Sequence, residues 1–296
     1  MTYDVITVIY NPNSTGESER LAQEFAAQVK QSVPRQRVDV IATTHAGHGE
    51  ELTYEIARSS GRPLIISSSG DGGYHDVING ALRARSEGYD VVTGLLPAGN
   101  ANDHHTNLQQ AQNIVEQIAA APPHRHIDVL KITGTSSGAV VERYAHSYIG
   151  FGLTPYVGNE LNRAQLNPIK EVAIVAKALW QLQPVRLHIG TRPHMYDSVI
   201  MSNIATMSKY LKVASTASVT DGKFEVTIFR NRGKVGLLWR LLRMVFGANP
   251  HSRQADECTL TTASATPVQA DGEIIMLDAG TKATISVEAR ILPCVI

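Results

Sequence analysis

Ser69-Gly70-Asp71-Gly72-Gly73-Tyr74-His75-Asp76-Val77-Ile78-Asn79-Gly80 follows a short apolar run at residues 63–66. The run reads as a buried strand and residues 67–73 as a small glycine-rich turn. From residue 74 to 85 the pattern is helical, with Val77, Ile78, Ala81 and Leu82 apolar. Outward from this corner the alternation recurs. Residues 4–10 are an apolar run closed by Asn11-Pro12, and residues 38–41 and 91–96 are two further strands. Between them lie residues 17–30, with Leu21, Phe25 and Val29 on one helical face, and residues 50–58, with Leu52 and Ile56. A last helix, residues 108–121, is stopped by Pro122-Pro123. This alternation predicts an α/β domain over residues 1–126, a parallel sheet with helices on both faces.

After His126 the pattern changes. Residues 127–132, 140–148, 185–189, 198–205, 224–229 and 283–287 alternate as antiparallel strands do. Two helical runs, 169–182 and 235–246, interrupt them. Residues 127–296 are therefore expected to form a mainly antiparallel, β-sandwich-like domain, with its last strand a candidate to return to the first domain. With no repeat and no long linker, the halves are expected to pack around a cleft.

Composition excludes several classes. The 296 residues hold 27 Lys+Arg and 27 Asp+Glu, so there is no general attraction to nucleic acid. The two cysteines, Cys258 and Cys294, exclude a disulfide scaffold and a cysteine-rich zinc site, and point to a reducing compartment. The first residues do not resemble a signal peptide, and no stretch approaches the roughly 20 apolar residues of a membrane span. The expectation is a cytoplasmic enzyme. Peripheral contact with the inner membrane face and a homodimer are carried as open alternatives.

Three turns fall at the C-terminal ends of the predicted parallel strands, where open α/β sheets bind ligands. They are Asn11-Pro12-Asn13-Ser14-Thr15-Gly16, Ser69-Gly70-Asp71-Gly72-Gly73 and Pro97-Ala98-Gly99-Asn100-Ala101-Asn102-Asp103. Glycine lets backbone amides approach a phosphate, and a following helix start adds its positive dipole end. None of the three turns contains lysine or arginine. Asp71 would repel phosphate unless it meets Mg²⁺ or accepts a proton, and that combination suggests phosphoryl transfer. The chain has no GxxxxGK[ST] motif, and its glycine turn fails GxGxxG.

Together the three turns resemble the lipid kinases of the diacylglycerol kinase and sphingosine kinase superfamily. The family's Asn-Pro-x-Ser-Gly stands here as Asn11 to Gly16, with one residue inserted before the glycine. Its Gly-Gly-Asp-Gly-Thr, with a following acid, apolar pair and Asn-Gly, stands as Ser69 to Gly73 leading to Asp76-Val77-Ile78-Asn79-Gly80. Its Pro-x-Gly-Thr-x-Asn-Asp stands as Pro97 to Asp103, and a late Asp-Gly-Glu as Asp271-Gly272-Glu273. The resemblance spans nearly the whole chain.

It implies an ATP-dependent kinase acting on a lipid hydroxyl, with Mg²⁺. Asn11, Pro12, Asn13, Ser14, Thr15, Gly16, Thr44, Gly70, Asp71, Gly72, Gly73, Tyr74, His75, Asp76, Gly99, Asn100, Asn102 and Asp103 would contact the nucleotide. Asp71 would act through the metal and phosphates. Glu273, or Asp71 itself, would take the acceptor's proton, with Asp271 and Asp128 as further functional acids. Asp271 and Glu273 are expected to face the nucleotide loops across the cleft. A structural Mg²⁺ would be held by the backbone carbonyls of Ser218 and Lys223 and the carboxylate of Asp221, although Thr220 replaces a neighbouring acid. Gly73 and Asn100 replace threonines, so two hydroxyls expected near the phosphates are missing.

Two competing readings are an NAD kinase-like small-molecule kinase and a nucleotide-binding regulator with little activity. The Asn-Pro loop and the 97–103 loop favour the lipid kinases over the former; Gly73 and Asn100 motivate the latter. The 11 histidines show no HExxH or comparable spacing, so structural roles are expected for most, with His75 and His104 candidates to touch phosphate. Residues 234–246 are too apolar all round for a clean surface helix. They are expected to pack on the sandwich, with a membrane-surface role or a dimer contact as alternatives.

Overall fold

The computed structural model describes residues 3–14, 16–108, 113–120, 124–157, 177–190, 192–208, 211–214, 216–249 and 251–295. The chain divides into two compact units: Met1–Asp128 with Ala289–Ile296, and Val129–Glu288.

The first unit runs β1 (Ile6–Tyr10), α1 (Ser18–Ser32), β2 (Val38–Ala42), α2 (His48–Ser59), β3 (Leu64–Ser69), α3 (Asp71–Ser86), β4 (Val92–Pro97), α4 (Asp103–Asn107) and α5 (Ile114–Ala120). Its strands pair in parallel in the order β2-β1-β3-β4. The chain's last residues return to this sheet, with Cys294 opposite Thr93 and Val295 opposite Gly94, again parallel. Ile6, Val8, Leu64 and Ile66 point to one face and pack with Ala22, Phe25 and Val29 of α1 and Ile114 and Ile118 of α5. Ile9 and Ile65 on the other face are also buried. A strand covered on both faces is apolar without interruption, which is why residues 4–10 and 63–66 lack polar alternation.

Two boundaries differ from expectation for a physical reason. The third strand does not end at residue 66, because the next three serines satisfy their own hydroxyls. Ser67 Oγ and Ser69 Oγ lie 2.7 Å apart, and Ser68 Oγ donates to the Ser18 carbonyl at 2.7 Å. The helix then starts at Asp71 rather than Tyr74. Both Gly73 and Tyr74 donate backbone N–H groups to the Gly70 carbonyl, at 3.1 and 3.2 Å, so the glycine pair is the helix's first turn and not a loop.

The second unit is β-rich. It takes most of β5 (Arg125–Ser136), then β6 (Ala139–Ala145), β7 (Tyr148–Gly152), β8 (Val185–Ile189), β9 (Arg192–Ser202), β10 (Thr206–Met207), β11 (Leu211–Lys212), β12 (Phe224–Arg230), α6 (Gly233–Val245), β13 (Ser252–Ala255), β14 (Glu257–Thr262), β15 (Thr266–Ala270), β16 (Glu273–Leu277) and the start of β17 (Lys282–Val295). Antiparallel pairs join β9 to β7, β8 and β12, and β15 to β7 and β16. Phe151, Tyr196, Phe224, Leu260 and Ile285 lead its core. The strands between residues 252 and 277 largely escape the alternation reading: β13 buries no residue, β14 and β15 bury Thr262, Thr266 and Gln269 beside apolar residues, and β16 turns Ile274 and Met276 outward. Of the predicted helix 169–182, only residues 177–182 are described, and residues 177–181 are helical.

The expectation that residues 234–246 pack on the sandwich is met by one face of the helix only, where Leu237, Leu241 and Met244 join Ile200 and Phe229. Helix α6 buries Leu237 and Met244 but leaves Val235 at 84% and Trp239 at 64% exposure. No described helix is long and apolar enough to cross a membrane.

Candidate active site

Strand order reverses around β1: the chain steps from β1 to β2 on one side, then to β3 on the other. At such a switch point the two outgoing connections diverge and leave a crevice beyond the carboxyl ends of the strands. A cavity of about 350 Å³ lies there. Asn11 and Asn13 after β1, Thr44 after β2, Ser69 at the end of β3 and Gly72, Gly73 and Asp76 of α3 are among its lining residues. The start of α3 opens into it, bringing amide N–H groups and the positive end of the helix dipole.

The lining fits a magnesium-bound triphosphate. A Cβ built on Gly72 meets nothing within 4 Å, so this position is bare backbone facing open space. Beside the His45 imidazole, the side-chain donors are amide oxygens, hydroxyls and the Asp76 carboxylate, the hard oxygen ligands Mg²⁺ prefers. No lysine or arginine stands among the described lining residues.

The third loop, with Gly99, Asn100, Asn102 and Asp103, does not line this cavity among the described residues. It is packed between the other two. Cβ atoms on Gly70 and Gly99 would press into each other's backbone, and one on Gly16 would meet the Ala98 carbonyl carbon at 2.7 Å. Ser14 Oγ donates to the same Ala98 carbonyl. These glycines permit close loop-to-loop approach. The Asn102 amide is spent on Gly99, accepting its N–H at 2.8 Å and donating to its carbonyl at 2.9 Å. Asp71 closes the bracket: its carboxylate accepts the N–H groups of Asp103 at 3.0 Å and His104 at 3.1 Å. An acid in a glycine turn thus has a third explanation beside metal and proton, as the cap of the α4 N-terminus.

Gly73 does not leave a hydroxyl missing. A Cβ at position 73 would collide with the Ser69 hydroxyl, which occupies that space and lines the cavity. Strand position 69 supplies the oxygen that helix position 73 lacks. Gly73→Thr alone is therefore expected to lower the melting temperature by several degrees, an overpacking cost of about 1–3 kcal/mol. Adding Ser69→Gly should recover most of it, and thermal melts showing no recovery would refute the exchange.

Tyr74, His75 and His104 do not line this cavity. They are 0%, 3% and 0% exposed. The Tyr74 hydroxyl lies 3.2 Å from Thr93 Oγ1 and burial pushes its pKa up. Asn79 Nδ2 lies 3.3 Å from His75 Nε2, and the His104 ring tilts against Tyr74 at 5.5 Å. Pro12 is exposed and outside the lining, and Thr15 lies outside the described residues. Sequence reasoning missed Tyr10, Thr43, His45 and Gly49 of the lining; Gly49, whose Cβ would meet that of Asp76 at 2.9 Å, was the available signal. His45, His48 and Glu51 place ligand atoms within 4.8 Å of one another. His48 Nδ1 accepts the Thr44 N–H at 3.0 Å, so that ring nitrogen is already engaged within the loop.

The other predicted acids are held firmly. Asp128, 0% exposed, accepts the Arg290 N–H at 2.8 Å and so anchors the returning end of β17 within the first unit. In the second unit Asp271 and Gly272, both at positive φ, make a two-residue hairpin between β15 and β16. Asp271 is not an exposed hairpin acid but 5% exposed. Its carboxylate accepts the N–H groups of His146 at 2.6 Å, Ser147 at 2.9 Å and Tyr148 at 3.0 Å, and lies 3.3 Å from His146 Nε2. Glu273 is more open and paired with Arg143, whose Nε lies 3.2 and 3.0 Å from its two oxygens. Neither Arg143 nor His146 carries a sequence signal. Asp221 is exposed and accepts the Lys223 N–H at 3.0 Å, a tight turn offering one carboxylate beside the Ser218 segment.

Residues 5–132 match the family model of the diacylglycerol kinase catalytic domain, and residues 125–296 that of the YegS C-terminal NAD kinase beta sandwich-like domain. The "Probable lipid kinase YegS-like" of Chromohalobacter salexigens is 26% identical over 215 residues, covering 69% of this chain and 67% of that protein. The diacylglycerol kinase of Mycobacterium tuberculosis is 21% identical over 298 residues, 97% of this chain and 92% of that one. The crystal structure of a diacylglycerol kinase from Bacillus anthracis superposes with a TM-score of 0.70 at 16% identity, covering 100% of this chain and 97% of its own.

Proposed function

We propose, from the premise that the chain belongs to the diacylglycerol kinase and sphingosine kinase superfamily, that it transfers the γ-phosphoryl group of ATP to a lipid hydroxyl. The observation that carries this reading is the switch-point cavity, where helix α3 opens with bare backbone at Gly72 among oxygen donors. Bound ATP supplies the phosphoryl group, and Mg²⁺ neutralises its developing charge. Amides at the start of α3 would hold the phosphates, and Thr44 the nucleotide. Asp76, which lines the cavity, would be a candidate to meet the metal. Asp71 would keep the first turn of α3 and the start of α4 in fixed relation, and it too remains a candidate to meet the metal. Glu273, oriented by Arg143, is the candidate to take the acceptor's proton. The single carboxylate of Asp221, with carbonyls of Ser218 and Lys223, would make a weaker structural Mg²⁺ site than one with two acids.

The test incubates the protein with labelled ATP and Mg²⁺ and a panel of diacylglycerol, phosphatidylglycerol, sphingosine and NAD. Label on a lipid supports the reading. Label on NAD alone, or on nothing while ATP binds, refutes it in favour of a small-molecule kinase or a regulator.

Gly72→Val gives a second check. Its side chain would fill the open space where backbone must approach phosphate. ATP affinity by calorimetry is expected to fall about tenfold or more, as steric blocking of a phosphate approach would give. Unchanged affinity in a folded variant would contradict amide-based binding.

A further inference from the structure

Helix α6 has two apolar faces. At 100° per residue, Leu237, Leu241 and Met244 share one, which packs on Leu179, Leu182 and Phe229. The opposite face carries Val235, Leu238, Trp239, Leu242, Val245 and Phe246, which are between 41% and 85% exposed. A surface helix ordinarily turns polar residues outward. Trp180, 74% exposed, extends the patch, with the Lys234 ammonium 5.0 Å from its ring centre. Both tryptophans of the chain therefore stand on this one surface.

Charge selects the occupant. On the helical wheel Lys234 borders one edge of the outer apolar stripe and Arg243 the other, and Arg232 precedes the helix; all three are exposed. Arg240 interacts with Asp197 instead. Residues 232–246 contain no acid. A two-fold contact between copies would bring identical patches together and set these cations against one another with no acid of the segment to answer them. An apolar stripe between two cationic edges instead matches a lipid surface, with acyl chains below and anionic headgroups at the rim. The helix, Gly233–Val245, is 13 residues long, enough to lie in the interface and too short to span it.

We propose that this face of α6, with Trp180, docks the protein on an anionic bilayer. The inference rests on the lipid-kinase reading for its purpose and deepens it, by naming the surface through which a membrane-embedded acceptor would be reached.

The experiment uses the full chain without ATP. Vesicles of phosphatidylcholine, and of phosphatidylcholine mixed equally with phosphatidylglycerol, are added while intrinsic tryptophan fluorescence and co-sedimentation are followed. A blue shift and co-sedimentation are expected with the mixed vesicles, weakening as salt rises. Trp239→Glu with Phe246→Glu should lower binding about tenfold or more, and Lys234→Glu with Arg243→Glu should remove the preference for anionic lipid. All four positions are exposed, so thermal melts of the variants should match the parent. No shift with the mixed vesicles overturns the proposal. So does a concentration-dependent dimer, seen by sedimentation, that buries the tryptophans in place of lipid. Phosphorylation assays keep the two readings apart. On a water-soluble short-chain acceptor the Trp239→Glu, Phe246→Glu variant should retain parental turnover, while on vesicles it should lose it. Docking without any lipid phosphorylation would sink the kinase reading alone, and equal turnover on vesicles would sink the docking face alone.

Discussion

Asp71→Asn is expected to lower phosphoryl-transfer turnover by about 10²–10⁴-fold, the range for loss of a positioned catalytic group. The carboxylate is the first residue of α3 and accepts two amides from the start of α4. Asparagine keeps one acceptor oxygen and turns an NH₂ group toward the second amide, so two donors face each other. The charge is lost as well. Both changes act at the junction of the second and third loops, beside the candidate cavity. The two roles separate by titration. If Asp71 meets Mg²⁺, the concentration of metal for half-maximal rate should rise strongly; if it only positions α4, that concentration should stay fixed while turnover falls. Thermal melts should show a loss of about 1–3 kcal/mol, the cost of leaving one buried donor unsatisfied. Near-parental turnover with unchanged metal dependence would end any functional assignment for Asp71.

Elements show in the sequence where one residue pattern implies one burial pattern. The runs at residues 4–10 and 63–66 are apolar because both sheet faces are covered, and the helix of residues 17–30 has a single apolar stripe. Partnership is less visible. Gly16, Gly70 and Gly99 read as phosphate glycines, yet their missing Cβ atoms serve contact among the loops themselves. A one-residue reading cannot say which neighbour uses the space. The same blindness makes Gly73 look like a lost hydroxyl when Ser69 fills its place. It also makes Tyr74, His75 and His104 look available because they adjoin a motif, although the fold turns them inward. Helix α6 fails differently. An all-round apolar helix is equally consistent with burial in protein and with a lipid-facing surface, and composition has no term that separates them. Arg143 and His146 lie more than 120 residues from the acids they meet, and only strand pairing brings them there.

Asp271→Ala is expected to destabilise the second unit by about 3–5 kcal/mol, since three buried amide donors lose their acceptor at about 1–3 kcal/mol each. That is a large fraction of the roughly 5–15 kcal/mol that holds a typical domain together. The reason lies in what the carboxylate satisfies. Three consecutive amides, those of His146, Ser147 and Tyr148, converge on it at the turn between β6 and β7, and the His146 ring lies against it. Alanine leaves all three donors buried and forces a residue with a Cβ and no local hydrogen bond to hold φ 51. Asp271→Asn isolates the chemistry from the backbone, because asparagine tolerates that conformation. It should cost less, about 1–3 kcal/mol, for the donor left facing an NH₂ group. Glu273→Gln is the contrast. Its carboxylate is partly exposed and meets the Arg143 guanidinium near solvent, so stability should change little. If it is the base, turnover should fall about 10²–10⁴-fold with ATP affinity unchanged. Urea melts place the three variants on one scale. An Asp271→Ala protein within about 1 kcal/mol of the parent would show that the amides find other partners; the hairpin acid would then be free to act in catalysis, and the division between a structural Asp271 and a reactive Glu273 would fall.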